Sequence, residues 1–195
     1  MRWWLRTCVV TTLICSGPSV WAAAYAIDKD HSTVSFRVRH LFAYVQGNFN
    51  EFEGAIEYVP GQPEQWKAQA TIQAASVDTN VAKRDEHLRT ADFFDAVTHP
   101  TIGFVSTKVT DATATGAKLH GLLTIRGVQL PVVLDVAIHG EGNDPWGNVR
   151  AGFTATTRLN RRDFGLTWNQ ALETGQLLVG EEVEITLEIE GLKQS

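Results

Sequence analysis

The stretch RDEHLRTADFFDAVTHP, residues 84–100, is where titratable side chains crowd together in this 195-residue chain, with two histidines among four carboxylates. Asp85, His87 and His99 are residue types that hold a divalent ion, and with one they could activate water, so metal-assisted hydrolysis is one chemistry the segment admits. The spacing works against it. Asp85 and His87 lie two positions apart, which on a helix sets them on different sides, and His99 would have to fold back across a loop. No HExxH, CxxC, Gly-x-Ser-x-Gly or phosphate-cradling glycine loop stands elsewhere in the chain to supply another catalytic centre. The other reading is mechanical. Leu88, Phe93 and Phe94 give the segment an apolar surface that needs cover, as a lid over the end of a barrel would have, while Arg84, His87 and Arg89 sit near the rim and pair with Asp85 and Asp92 or meet an anionic head group.

The elements around this segment must position it, and they are strands. From Val81 to about Phe94 the spacing predicts a helix, with Asn80 as its N-cap and Asp85 and Glu86 in the early turns; Pro100 stops it. Elsewhere period two dominates. Val34, Phe36, Val38 and His40 share one face of residues 32–40, and Val183, Ile185, Leu187 and Ile189 share one face of residues 181–190, with glutamates opposite. Further alternating runs cover 48–58, 66–77, 101–109, 118–127, 129–140 and 148–160, eight strands in all. One wet and one dry face is the pattern of an antiparallel sheet. The glycines inside these runs, Gly47, Gly54, Gly103, Gly121 and Gly152, suit the bulges and bends that let a sheet close.

The dry faces carry small residues where a solid core would carry large ones: Ala68, Ala70, Ile72 and Ala74 in one strand, Ala151, Phe153 and Ala155 in another. An eight-strand barrel is wide enough to hold one small ligand. Phe36, Phe49, Phe52 and Phe104 either fill that space or line it. With the phase read as inward, the candidate cavity residues are Phe36, Val38, His40, Phe49, Phe52, Ile56, Ala68, Ala70, Ile72, Leu88, Phe94 and Phe104. A backbone-satisfied structural role is the simpler reading of His40. Asp28, His31 and Ser32 read as a local hydrogen-bonded closure of the first strand, and Arg162 with Asp163 as a turn-locking pair.

Residues 1–24 have the layout of a secretory signal peptide, with Arg2 and Arg6 ahead of an apolar run and Ala22, Ala23 and Ala24 at the end. Cleavage after Ala24 would leave residues 25–195 as one domain and remove Cys8 and Cys15, so the mature chain would hold together without disulfides. The apolar run is too short to span a bilayer, and no integral membrane segment is expected in the mature chain. The formal net charge is −5, and losing two arginines makes it more negative. Such a chain is no nucleic-acid binder. No cofactor is expected, and a homodimer is left open.

Five stretches then fall into one pattern: DKDHSTVSFRVRHL (28–41), GNFNEFEGAI (47–56), RDEHLRTADFFDAVTHPTIGF (84–104), GLLTIRGVQLPV (121–132) and RRDFGL (161–166). Together, in order and spacing, they resemble the YceI-like family. The resemblance implies an all-β fold, an eight-stranded antiparallel lipocalin-like barrel with one short helix capping an end. It also implies a periplasmic, non-catalytic protein that holds a long isoprenoid or similar amphiphilic lipid in its lumen, for carriage or sequestration. The family often has Thr-Lys before the proline of the fourth stretch, where this chain has Gln129 and Leu130; that departure points to a less anionic ligand. Burying each methylene contributes about 0.8 kcal/mol, most of it offset by ordering the lipid, so selectivity would rest on lumen length and on the polar residues at its mouth.

Overall fold

The computed structural model describes residues 23–173 and 175–194. Its strands are β1 (Ala23–Ile27), β2 (Thr33–His40), β3 (Ala43–Phe49), β4 (Phe52–Tyr58), β5 (Lys67–Gln73), β6 (Val77–Asp78), β7 (Thr101–Thr110), β8 (Gly116–Ile125), β9 (Val128–Asn143), β10 (Val149–Asn160) and β11 (Val179–Lys193); the helix is α1 (Ala82–Arg89). All pairings are antiparallel, and β1 closes the sheet by pairing with both β4 and β11.

The barrel has eight staves, of which the first three are broken. β1 and β2 pair with successive stretches of β11, Lys193–Gly191 and Glu188–Val179, so they form one stave interrupted by the 3-10 turn Lys29–His31. β3 and β4 continue one another across Asn50 and Glu51, β3 pairing with β2 and β4 with β1. β5 and β6 do the same across the turn Ala74–Ser76, pairing with β4 and β3 in turn. The eight expected strands are therefore present, but 48–58 and 66–77 are not continuous, and β1 and most of β3 add to the expected set. The expected leader lies outside the described residues except for Ala23 and Ala24, which begin β1.

Glycines act in two ways here. Gly152 borders a register shift where β10 meets β9, and Gly121 stands opposite Ser106, where β7 shifts against β8, in keeping with the bend expected from them. Gly47 instead makes room for a ring: it stands opposite Phe36, and a Cβ on it would come within 2.4 Å of the Phe36 ring. The turn from β8 to β9 is a tight hairpin with Arg126 and Gly127 both at positive φ, the geometry that matches strand twist.

The helix is shorter than expected and starts differently. Asn80 is not the cap; it sits at φ 62°, donating its N–H to Asp78, and Val81 precedes the first turn without a side-chain cap. Asp85 instead ties the helix to the segment before it, its buried carboxylate accepting from the Thr79 N–H at 2.9 Å and the Thr79 hydroxyl at 2.5 Å. Phe93 and Phe94 lie in the turns that follow α1, because the polar sequence of residues 89–92 gives a continued helix no buried stripe. Among the described residues, no helix is long and apolar enough to cross a membrane.

Candidate ligand-binding cavity

The dry faces of the staves enclose a cavity of about 440 Å³, within the range of roughly 300–1,000 Å³ usual for small-molecule sites. Its walls are the inward sets read from the alternation: Val34, Phe36 and Val38 of β2, Ala68, Ala70 and Ile72 of β5, Phe153 and Ala155 of β10, and Val183, Ile185, Leu187 and Ile189 of β11. Of the twelve candidate residues, the structure brings together all: Phe36, Val38, His40, Phe49, Phe52, Ile56, Ala68, Ala70, Ile72, Leu88, Phe94 and Phe104 each line this space. The space persists because alanines face it while the large rings pack sideways on one another, Phe36 against Phe49 at 5.7 Å between centroids and Phe49 against Phe94 at 5.4 Å.

One end is plugged by aromatic side chains. Tyr58 stacks on Trp66 and edges onto Phe153, with centroids 5.0 and 5.2 Å apart, and the Trp66 indole donates to the Val59 carbonyl. Tyr25 is wholly buried beside them. Its hydroxyl lies near the Glu141 carboxylate without closing a hydrogen bond of normal geometry, and burial, reinforced by that carboxylate, pushes its pKa up to about 12.

The other end is covered by α1 and the loop after it. Arg84 donates to the Thr79 hydroxyl and carbonyl, and Arg89 to the carbonyls of Ala75 and Val77, which ties the helix to the rim. His87 pairs with Asp92 at 2.8 Å and edges onto Trp168, with Phe93 completing the triangle of rings. Arg126 reaches from the β8–β9 hairpin to the carbonyls of Phe93 and Gly165. The rim charges are thus paired internally, as expected, but the two arginines of α1 bond Thr79 and backbone carbonyls rather than Asp85 and Asp92.

This geometry leaves the metal reading without a site. The Asp85 carboxylate is occupied by Thr79, His87 by Asp92, and the His99 ring lies beside Gly127; the three do not converge. Among the described residues, the grouping whose ligand atoms come within 4.8 Å of one another is Asp28, His31 and Glu190, and there Arg150 already bridges Asp28, Glu190 and Asp144. Chiefly through Arg150, the Asp28 carboxyl is held below the ordinary carboxylate range, as is Asp144 through Asn148 and then Arg150. Asp28 also accepts from the Asp30 N–H and contacts the His31 ring, while Ser32 accepts from the Glu190 N–H. This is the expected local closure, with Arg150 and Glu190 added.

Two smaller readings change. Arg162 does not lock its turn with Asp163; it pairs with Glu181 at 2.8 Å, and the Asn160 side chain caps the turn instead. No hydrogen-bond partner for the His40 ring is found among the described residues, so the simpler, backbone-satisfied reading is not met. Gln129 is exposed and donates to Thr124, while Leu130 packs with Val132 and Phe164, so the departure puts an apolar side chain where the resemblance has a cation.

Arg161 was missed. It is buried at the lidded end and lines the cavity, one residue before the Arg162–Asp163 pair read as a turn lock. The signal was legible, because Arg161 continues the inward parity of Phe153, Ala155, Thr157 and Leu159, and a cation on a dry face asks for an explanation. Tyr58, Trp66 and Trp168 also line the cavity without having been named, since each stands at or beyond the end of a strand where alternation loses its phase.

A closed antiparallel barrel around an apolar cavity, plugged at one end and helix-lidded at the other, defines a class of ligand-enclosing barrels. The chain belongs to the YceI-like family: the YceI-like domain matches residues 25–191. A "UPF0312 protein" of Ectopseudomonas mendocina (strain ymp) is 41% identical over 181 residues, 91% of this chain and 92% of that protein. Among solved structures, BcnA of Burkholderia cenocepacia superposes with a TM-score of 0.75 at 26% identity, covering 84% of this chain and 98% of that one. A polyisoprenoid binding domain from Saccharophagus degradans, implicated in plant cell wall breakdown, has a TM-score of 0.66 at 16% identity, covering 88% and 99%; at that identity the likeness shows the fold alone.

Proposed function

We propose that this chain binds a long apolar lipid of the isoprenoid kind inside its barrel, as a binding protein rather than an enzyme. The observation that carries the reading is the continuous cavity of about 440 Å³ walled by Phe, Ile, Leu, Val and Ala. Such a space offers water few of the two to four polar partners it needs, so it is filled by something apolar or stays dry. The description of the Saccharophagus degradans domain as polyisoprenoid-binding, on the same fold, supports the class of ligand. Asp85 and His87, which a hydrolase would need free, are spent on holding the lid.

Residues 1–24 would direct export, and the mature protein would act in the periplasm by carrying or sequestering its lipid. Native mass spectrometry of protein purified from its own host without detergent tests the binding: a discrete lipid mass on the folded protein is expected, and a bare polypeptide would count against it. Amino-terminal sequencing of the same preparation tests export, with a start at Tyr25 expected.

A further inference from the structure

Arg161 is a cation set into the wall of an apolar cavity. It is 6% exposed, and it follows β10 in the turn Arg161–Phe164 at the lidded end. Two sides of its guanidinium are used: Nε donates to the Gly180 carbonyl at 2.8 Å and Nη1 to the Leu166 carbonyl at 2.6 Å. These bonds fix the plane of the group. Nη2 is buried and has no hydrogen-bond partner among the described residues. Glu181 acts on it from a distance but is salt-bridged to Arg162, and burial outweighs that pull and pushes the Arg161 guanidinium down from its usual pKa. A buried charge whose counter-ion is shared and whose N–H is unpartnered is costly, and it persists in structures mainly where a partner completes it.

We infer that Arg161 receives an anionic oxygen on the head group of the bound lipid, a carboxylate or a phosphate, at the lidded end of the cavity. The inference rests on the proposed lipid binding and deepens it. The ligand's chain then points toward the aromatic plug, where the lining cation, Lys67, is exposed and paired with Glu57. Arg84 also lines the cavity at the lidded end, but its Nε and Nη2 are spent on Thr79, so Arg161 supplies the unpartnered N–H, and a singly charged head suits the site better than a multiply charged one. A guanidinium held rigidly by two carbonyls has little freedom left to lose on meeting such an oxygen, which favours a charge-assisted bond.

The test is a chain-matched set of C20 probes, geranylgeraniol, geranylgeranoic acid and geranylgeranyl phosphate, titrated into the delipidated protein and into Arg161→Gln, Arg161→Lys and Arg158→Gln. Arg158 is an exposed arginine paired with Glu184 on the outer face and controls for general loss of positive charge. We expect the wild type to bind the acid, the phosphate or both at least tenfold more tightly than the alcohol, and which of them gains separates the two sources of the oxygen. Arg161→Gln should erase that gap while leaving the alcohol's affinity within about twofold, Arg161→Lys should keep part of it, and Arg158→Gln should keep all of it. Should Arg161→Gln fail to fold, the wild-type comparison together with Arg161→Lys still decides. Equal wild-type affinity for all three probes, or a gap that survives in Arg161→Gln, overturns the inference and leaves lipid binding standing. Failure of every probe to bind overturns lipid binding and the inference with it.

Discussion

The two ends of the barrel are closed by different physics. At the plugged end Tyr25, Tyr58, Trp66 and Phe153 bury their rings against one another, and Ala151 behind them is almost fully enclosed. At the lidded end Leu88, Phe93 and Phe94 add apolar contact, but within α1 the buried residue is Asp85, and the cover is tied down by side chains reaching backbone carbonyls, Arg84 to Thr79, Arg89 to Ala75 and Val77, and Arg126 to Phe93 and Gly165. Apolar burial is strong and hard to undo piecemeal, whereas each hydrogen bond exchanged with water has a modest net free energy, about 1.5–3 kcal/mol even for charged donors such as these arginines. The plug is therefore where global stability resides, and the lid is where local opening should cost least. A ligand that entered would do so past α1.

The largest expected effect is at the plug. Tyr25→Ala removes a wholly buried ring and should cost about 3–5 kcal/mol of unfolding free energy in denaturant titration; a loss near zero would mean the plug does not hold the barrel together. At the lid, Asp85→Ala strips the buried Thr79 N–H of its acceptor and should cost about 1–3 kcal/mol. Hydrogen exchange should accelerate mainly in residues 79–94 while β10 stays protected, and uniform acceleration across the barrel would erase the distinction between the ends. Tyr25→Phe sharpens the comparison from the other side. It removes a hydroxyl that makes no hydrogen bond of normal geometry, so stability should change by less than about 1 kcal/mol or improve, and a large loss would reveal a bond to Glu141.

The smallest effect concerns the charged cluster outside the plug. Asp28 and Asp144 have pKa values lowered in the folded protein, so their contribution to stability is present above the ordinary carboxylate value of about 4 and is lost as pH falls through the folded values. Arg150→Gln should lower the melting temperature at neutral pH, and the gap from wild type should begin to narrow below about pH 4 and go on narrowing as the pH falls further. A gap that stays constant down to pH 2 would show that Arg150 acts through packing alone.

The walls were far more legible in the sequence than the ends. Alternation along β2, β10 and β11 placed Phe36, Phe153 and Ile185 correctly because each strand has one wet and one dry face, and a register error would have turned them all outward. The breaks in the first three staves were not legible. β3 carries Gly47 at an inward position that Phe36 fills from the neighbouring strand, so the pattern there lacks the apolar residue that would mark it. β1 begins at the two alanines that end the segment read as a leader, which left three residues, too few to show an alternation. At the lid, local signals competed with tertiary ones: Asn80 is a good N-cap by type, yet it is drawn into a left-handed turn by the Asp78 side chain, and Asp85 is taken up by Thr79 ahead of the helix. Arg161 is obscured for a related reason, since it lies one residue past the end of the alternating run 148–160 although its parity places it on the dry face.

Lipid binding requires a hollow barrel, and Ala70→Phe tests this most directly, because Ala70 faces the cavity between Gly54 and Phe104 on the neighbouring strands. Melting and geranylgeraniol binding should be measured on the same preparation. A hollow barrel should show a melting temperature within a few degrees of wild type together with at least a tenfold loss of affinity, as the ring takes the lipid's place. A loss of about 1–3 kcal/mol in stability, the mark of an overfilled solid core, with binding unchanged would contradict it.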